Sequence, residues 1–408
     1  MNGIGLLGDV RVVDIAGESA AYTGRMLADL GAEVVLVEPP RDSPARRTPP
    51  LVAGRSGEPV SAHFCYTAAG KRSVTIDLTA ARGRELFHSL VHASDVLVTS
   101  AAVGEMEALG LGYDDVHASH PRLVFTSVTP YGLTGPRRRW RGDDLLGWAS
   151  SGAMPSIGDP DRAPLAPGGG LAHMTAALNA AMGTMAALMA RDVGGDDGVG
   201  GGQLVDISVQ EATMSVAMEV SPMVVLEGGF DQRRTGKRKE AGPIGHYATS
   251  DGAVSIVAFM PEHWRALAEW VREETGVEEI TSDEFAGTPI ARMHYAELLD
   301  TWIEGLTTRY TKRAFFEEAQ RRGITVGPVN SASDVLDDAH LHATGGWSEY
   351  ESPDVATLRV PTPPLHLDGR TASVGNVPHL GEHNHEVFVG LLGLTDDDLL
   401  ALRAAGVI

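Results

Sequence analysis

The chain has 408 residues, with 33 Lys or Arg against 54 Asp or Glu, for a formal net charge of −21. Such an acidic excess argues against nucleic-acid and anionic-membrane partners, which are held by cations. A hydrophobic fraction of 43% and a single cysteine, Cys65, exclude a disordered chain, a disulfide framework and a cysteine-based zinc site, and they point to a globular protein of the cytoplasm.

Met1–Asp9 shows no basic, apolar leader. From there strand and helix signals alternate. Val- and Ile-rich runs at Val10–Ile15, Glu33–Val37, Ser73–Ile76, Asp95–Val98, Leu123–Ser127 and Leu204–Val209 read as strands buried on both faces. Ser19–Leu30, Ala80–His92, Val103–Leu109 and Ala172–Ala190 read as helices between them. This alternation predicts a parallel sheet covered by helices. The stretch Leu171–Ala190 is Ala- and Met-rich but carries His173 and Asn179, so it reads as a buried helix rather than a membrane span.

Arg191–Gln203 contains GGDDGVGGG and reads as a surface loop. Glu227–Gly242 is a second break with five basic residues. Beyond it, Ala248–Phe259 reads as a turn and a strand, and Pro261–Arg272, Met293–Leu306 and Lys312–Arg322 as amphipathic helices. Val329–Pro378, rich in Pro, Asp and His, reads as a long connecting arm. Short helices over Glu386–Leu392 and Asp396–Ala404 close the chain. The expected organisation is a large domain over 1–225, a small α/β domain over 226–328, a connecting arm over 329–383 and a segment over 384–408 that returns to the large domain.

Several chemistries are excluded by spacing. AGESAAYTG after the first strand lacks the G-x-G-x-x-G pattern, and there is neither a G-x-x-x-x-G-K loop nor a G-x-S-x-G elbow. His340 with His342, and His383 with His385, have a spacing that splays them on a helix, so no metal site is expected. Lys71-Arg72 before a strand suits either a phosphate or a solvated edge.

Many segments in one order carry a resemblance. They include LADLGAEVVLVEPP at Leu27–Pro40, GKRSVTIDL at Gly70–Leu78, LGLGYDD at Leu109–Asp115 and HPRLVFTSVTPYGLTGP at His120–Pro136. QLVDISVQEA at Gln203–Ala212, GITVGPVNSASDV at Gly323–Val335 and LGEHNHEV at Leu380–Val387 continue it. The chain resembles the family III CoA-transferases of the formyl-CoA and carnitine–crotonobetaine type, related to the α-methylacyl-CoA racemases. The resemblance implies an α/β fold: a Rossmann-like large domain plus a small domain, in an interlocked homodimer. It implies an acyl-CoA and a small carboxylic acid as substrates, with no permanently bound cofactor. Carried over residue by residue, it makes Lys71, Arg72 and Glu38 CoA-binding candidates. Arg138 and Arg139 join them as cations beside the Gly-Pro segment.

The departures fall at the reacting centre. Those transferases carry a nucleophilic Asp at the start of the long helix, and the matching position here is His173. Imidazole accepts an acyl group but cannot become the acyl part of a CoA thioester, so His173 cannot repeat that covalent cycle. It can serve as a base or acid, and a helix start, which disfavours a cation, suits a neutral imidazole. The related racemases place a His on the turn where Asp143 stands here and an Asp near the long helix, so the two types are exchanged. Three functions follow as expectations. CoA transfer with His173 in the nucleophile's place comes first. The others are α-proton transfer by His173 and Asp143, and a non-catalytic subunit paired with an active paralogue. The plain alternatives are that Asp143 caps a helix beginning near Leu145 and that His173 is a satisfied polar residue.

Overall fold

Six runs rich in β-branched residues form one parallel sheet: Arg11–Asp14 (β1), Glu33–Glu38 (β2), Arg72–Thr75 (β3), Val96–Thr99 (β4), Val124–Thr129 (β5) and Leu204–Ser208 (β6). The order is β3-β2-β1-β4-β5-β6, and Val12 lies between Val34 and Val96. Winding reverses after β1: the chain first builds toward β3, then returns to add β4 on the other side. A crevice opens outside the carboxyl ends of the strands where that happens. The computed structural model describes residues 5–158, 161–193, 201–216, 243–352, 354, 355, 357–372 and 374–408.

Every residue of β4 and β5 is buried, because alternate side chains enter two separate cores. Val13, Leu97 and Phe125 pack with Leu86, Phe87 and Leu90 of Ala81–His92 (α2). On the opposite face Val12, Val98 and Val124 meet Ala172, Ala176, Ala180 and Ala187 of the long helix Leu171–Val193 (α4). Ala172, Ala176 and Ala180, four residues apart, let that helix lie close to the sheet. Ala21–Asp29 (α1) and Asp144–Ser151 (α3) complete the labelled helices of this unit. The helix expected over Val103–Leu109 shrinks to Glu105–Ala108, started by the left-handed Gly104 and stopped before Gly110.

This unit gathers the described residues of Met1–Ala153, Ala166–Gly229 and His340–Ile408. The segment read as a connecting arm has structure of its own. Trp347–Glu351 pairs with Thr357–Pro361 as a hairpin. Tyr350, Val360 and Val377 are buried with Leu36, Phe64 and Cys65, and the Tyr350 hydroxyl donates to the Cys65 carbonyl at 2.7 Å. This part of the segment therefore packs on a core within its own chain. Val387, Phe388, Leu399 and Leu402 return to the α2 core.

The second unit gathers the described residues of Met154–Leu165 and Phe230–Ala339. Ile244–Thr249 (β7) and Gly252–Val257 (β8) form a hairpin, with Val326–Pro328 (β9) on the far side of β8. Pro261–Thr275 (α5), Ala296–Thr307 (α6) and Lys312–Arg321 (α7) bury Trp264, Leu267, Ile303 and Phe315 against it, with Trp270 stacked on Phe315 at 4.5 Å. The sequence hid β7 because only Tyr247 on its inner face is large. The basic break at Glu227–Gly242 and most of the glycine-rich loop lie outside the described residues.

Candidate active site

A cavity of about 620 Å³ opens at the carboxyl ends of the strands. Ser100 follows β4, Thr129 closes β5, Val209 follows β6, and Glu18 and Ser19 belong to the loop after β1. His173 and Asp143, far apart in sequence, line it together, as do Arg138, Arg139 and Arg141. The Ser100 hydroxyl accepts from Gly17 N–H at 2.7 Å and so ties the β1 and β4 ends across the reversal point.

His173 stands in the first turn of α4 and is 9% exposed. Asp144 fixes it: one carboxylate oxygen accepts from the N–H groups of Ala172 at 2.7 Å and His173 at 3.0 Å. This satisfies two of the donors that a helix start leaves free. Asp143 accepts from Leu146 N–H at 2.9 Å and caps α3, as the plain reading of that residue expected. Two adjacent aspartates thus anchor two helices, and the second sets the imidazole's place. The Nδ1 of His173 is buried without a hydrogen-bond partner, and so is the Thr129 hydroxyl. Unpaired buried polar atoms are uncommon in folded proteins, and both of these residues line this cavity.

The arginines come from the loop after Gly135-Pro136. That loop is pinned where Asp206 of β6 accepts from Leu133 N–H at 3.0 and 3.1 Å, and burial pushes the Asp206 carboxyl above its ordinary range. No carboxylate partner engages Arg138, Arg139 or Arg141 among the described residues. They give a cationic edge to a strongly acidic chain. Glu18 also borders a small neighbouring pocket containing His63 and Lys71. Burial holds the His63 imidazole below its usual value; Glu18 opposes that shift, while His173 and Lys71 add to it. Glu18, Thr129 and Ser100 were not singled out from the sequence. The rule that ligands sit beyond the carboxyl ends of a doubly wound sheet marks all three positions once the strands are known.

The remaining CoA-binding candidates lie outside this cavity. Lys71 is not on a solvated edge: it is 4% exposed, and its ammonium donates to Asp14 at 2.7 Å and to the Ala21 carbonyl at 2.8 Å. Gly24 makes room for this pair, since a Cβ there would stand 2.0 Å from the Asp14 carboxylate. Arg72 is half exposed and pairs with Glu33 at 2.5 Å and Glu386 at 3.3 Å. Glu38 is buried, held by both arms of Arg46 at 2.8 and 2.9 Å and by the Ser73 hydroxyl at 2.6 Å. It lines a second cavity of about 430 Å³ with Ile76, Asp77 and Met106, and Ser100 and Glu105 belong to both cavities. Among the described residues no group of three or more His, Cys, Asp or Glu could hold a metal ion, and no helix is long and apolar enough to cross a membrane.

Comparison with known proteins gives one consistent answer. The family model for CoA-transferase family III matches residues 7–384. The chain is 33% identical to the succinyl-CoA:(R)-benzylsuccinate CoA-transferase subunit BbsE of Thauera aromatica, over 97% of both chains. It is 31% identical to the succinyl-CoA–D-citramalate CoA-transferase of Chloroflexus aurantiacus, over 98% of both. Among solved structures, a CaiB/BaiF family protein from Brucella suis superposes with a TM-score of 0.83 at 26% identity, covering 96% of this chain and all of that one.

Proposed function

The chain belongs to CoA-transferase family III and is a CoA-transferase, and we propose that it passes CoA from an acyl-CoA to a small carboxylic acid in the His173 cavity. The observation that carries this is that one cavity holds both a buried, unpartnered imidazole nitrogen and an edge of three arginines with no carboxylate partner among the described residues. Both relatives' names give succinyl-CoA as donor, and the acceptors they name are carboxylic acids. A succinyl donor and a dicarboxylic acceptor are the first pair to test. In this reading Arg138 and Arg139 meet CoA phosphates or the acid, and the Glu38 cavity takes the adenosine end. Lys71 and Arg72 stabilise the loops beneath.

The chemistry closes without an enzyme carboxylate at position 173. An acceptor carboxylate oxygen attacks the thioester carbon, the C–S bond breaks, and CoA leaves as the thiolate. The thiolate then attacks the acceptor-derived carbonyl of the mixed anhydride, and the C–O bond breaks to release the donor acid. His173 hydrogen-bonds the sulfur between the two steps.

A second reading is favoured by two observations: one relative is named as a subunit, and α4 exposes Leu171, Leu178, Met182, Met189 and Val193 at alternating seven- and four-residue spacing. Such a stripe suits a second chain, either a copy of this one, as in the homodimer the resemblance implies, or a homologue that supplies the carboxylate. The test is mass spectrometry of the purified protein with succinyl-CoA and citramalate in D2O. A new CoA thioester supports transfer. Deuterium at the α carbon without transfer supports proton exchange by His173 and Asp143 instead. Transfer only after a homologous chain is added supports the subunit reading, and no reaction in any arm overturns all three.

A further inference from the structure

Buried threonine hydroxyls in this fold are used. Thr126 and Thr184 bond each other at 2.7 Å across β5 and α4. Thr23, Thr67, Thr213 and Thr307 each donate to a backbone carbonyl. Thr99 accepts from Ala101 N–H, and Thr75 from Asn384. Thr129 is the exception among the described residues: it is 1% exposed and its Oγ1 has no partner. A buried hydroxyl without a bond costs stability, and a valine of the same shape would not. Yet Thr129 closes β5 and lines the cavity, as does His173, whose Nδ1 is the other buried and unpartnered side-chain atom among the lining residues.

We propose that Thr129 is a catalytic residue whose hydroxyl donates a hydrogen bond to the carbonyl oxygen of the bound thioester. The assignment rests on the reading that an acyl-CoA reacts in this cavity. When a carboxylate oxygen attacks the carbonyl carbon, the C=O π pair moves onto the carbonyl oxygen. The Thr129 O–H stabilises that charge and keeps its proton. On collapse the pair reforms C=O and the C–S electrons leave with CoA. A rigid strand end suits this role, because a donor held in place does not reorganise as charge develops.

The test uses the full-length chain with three substitutions. Thr129→Val is expected to melt at or above the wild-type temperature while kcat for acyl-CoA falls by about 10²–10³, the loss found when one such donor is removed. Thr129→Ser should recover most of that rate. Thr126→Val, which breaks a made bond, should melt lower and lose no more activity than its folded fraction. Binding is read separately, with CoA and with a ketone analogue of succinyl-CoA that has CH2 in place of the thioester sulfur. Thr129→Val should bind CoA as the wild type does and lose the extra affinity for the ketone. Should the wild type transfer no CoA, that loss in Thr129→Val would still sustain the Thr129 assignment while the transfer reading fails. The assignment is overturned if Thr129→Val melts lower with proportionate loss of activity, if its turnover is unchanged, or if wild type does not distinguish the ketone from CoA.

Discussion

Lys71 stood out in the sequence as a cation for CoA, and its setting gives it a measurable structural role. Lys71→Met keeps the length and bulk of the stem and removes the charge. Asp14, wholly buried, would then keep only the N–H of Ala16 at 2.9 Å as a donor. Removing one member of a buried ion pair costs about 3–5 kcal/mol, mostly from the charge left behind. At about 2–3 °C per kcal/mol for a unit of this size, the first thermal transition should fall by roughly 6–15 °C. Adding Asp14→Asn removes the stranded charge and retains an acceptor for Ala16 N–H, so the double variant should regain at least half of the loss. Calorimetry of the wild type, both single variants and the double variant gives the coupling, and CoA titration at a temperature where all are folded gives the ligand effect. Lys71→Met melting within about 2 °C of wild type, where roughly 6 °C or more is expected, together with lost CoA affinity would refute this reasoning and make Lys71 a ligand cation.

Gly24→Ala places a methyl against the same ion pair and should cost about 1–3 kcal/mol or more by overpacking, read by urea unfolding. Asp144→Ala removes the acceptor for two N–H groups at the start of α4; it should cost about 1.5–3 kcal/mol and lower turnover beyond its effect on the folded fraction, because His173 loses its anchor. Replacing Arg138 and Arg139 together by Ala should weaken CoA binding roughly tenfold to a hundredfold and flatten its salt dependence, checked by titration at two ionic strengths. The Lys312 ammonium, with Ser331, holds the Asp334 carboxyl well below the usual range. Its stabilisation is therefore present above the unfolded carboxylate pKa and lost as pH falls through the lowered folded value. Asp334→Asn should remove that acid-side dependence from urea unfolding of the second unit.

The alternation of apolar runs was enough to place all six parallel strands and the long helix α4. β4 and β5, buried on both faces, leave an apolar signal, whereas β6, read from the sequence as buried on both faces, is an edge strand with only Ser208 buried. The order of the matching segments identified the family, and it is the resemblance to that family that implies a His at position 173 in place of the nucleophilic Asp. Local sequence does not show which side chains are engaged elsewhere. Lys71 and Arg72 are neighbours in the chain, yet one is locked to Asp14 inside the unit and the other is paired at its surface. Asp143 and Asp144 look alike, yet they cap different helices. The hairpin within 347–361 looks like linker in sequence because its few apolar residues are buried with Leu36, Phe64 and Cys65, about three hundred positions away. Thr126 and Thr129 differ only in that one strand position faces Thr184 and the other opens into the cavity. Pairing is a property of what the fold brings alongside each side chain, so the strand order, the ion pairs and the two unpartnered polar groups of the His173 cavity were decided by the tertiary structure alone.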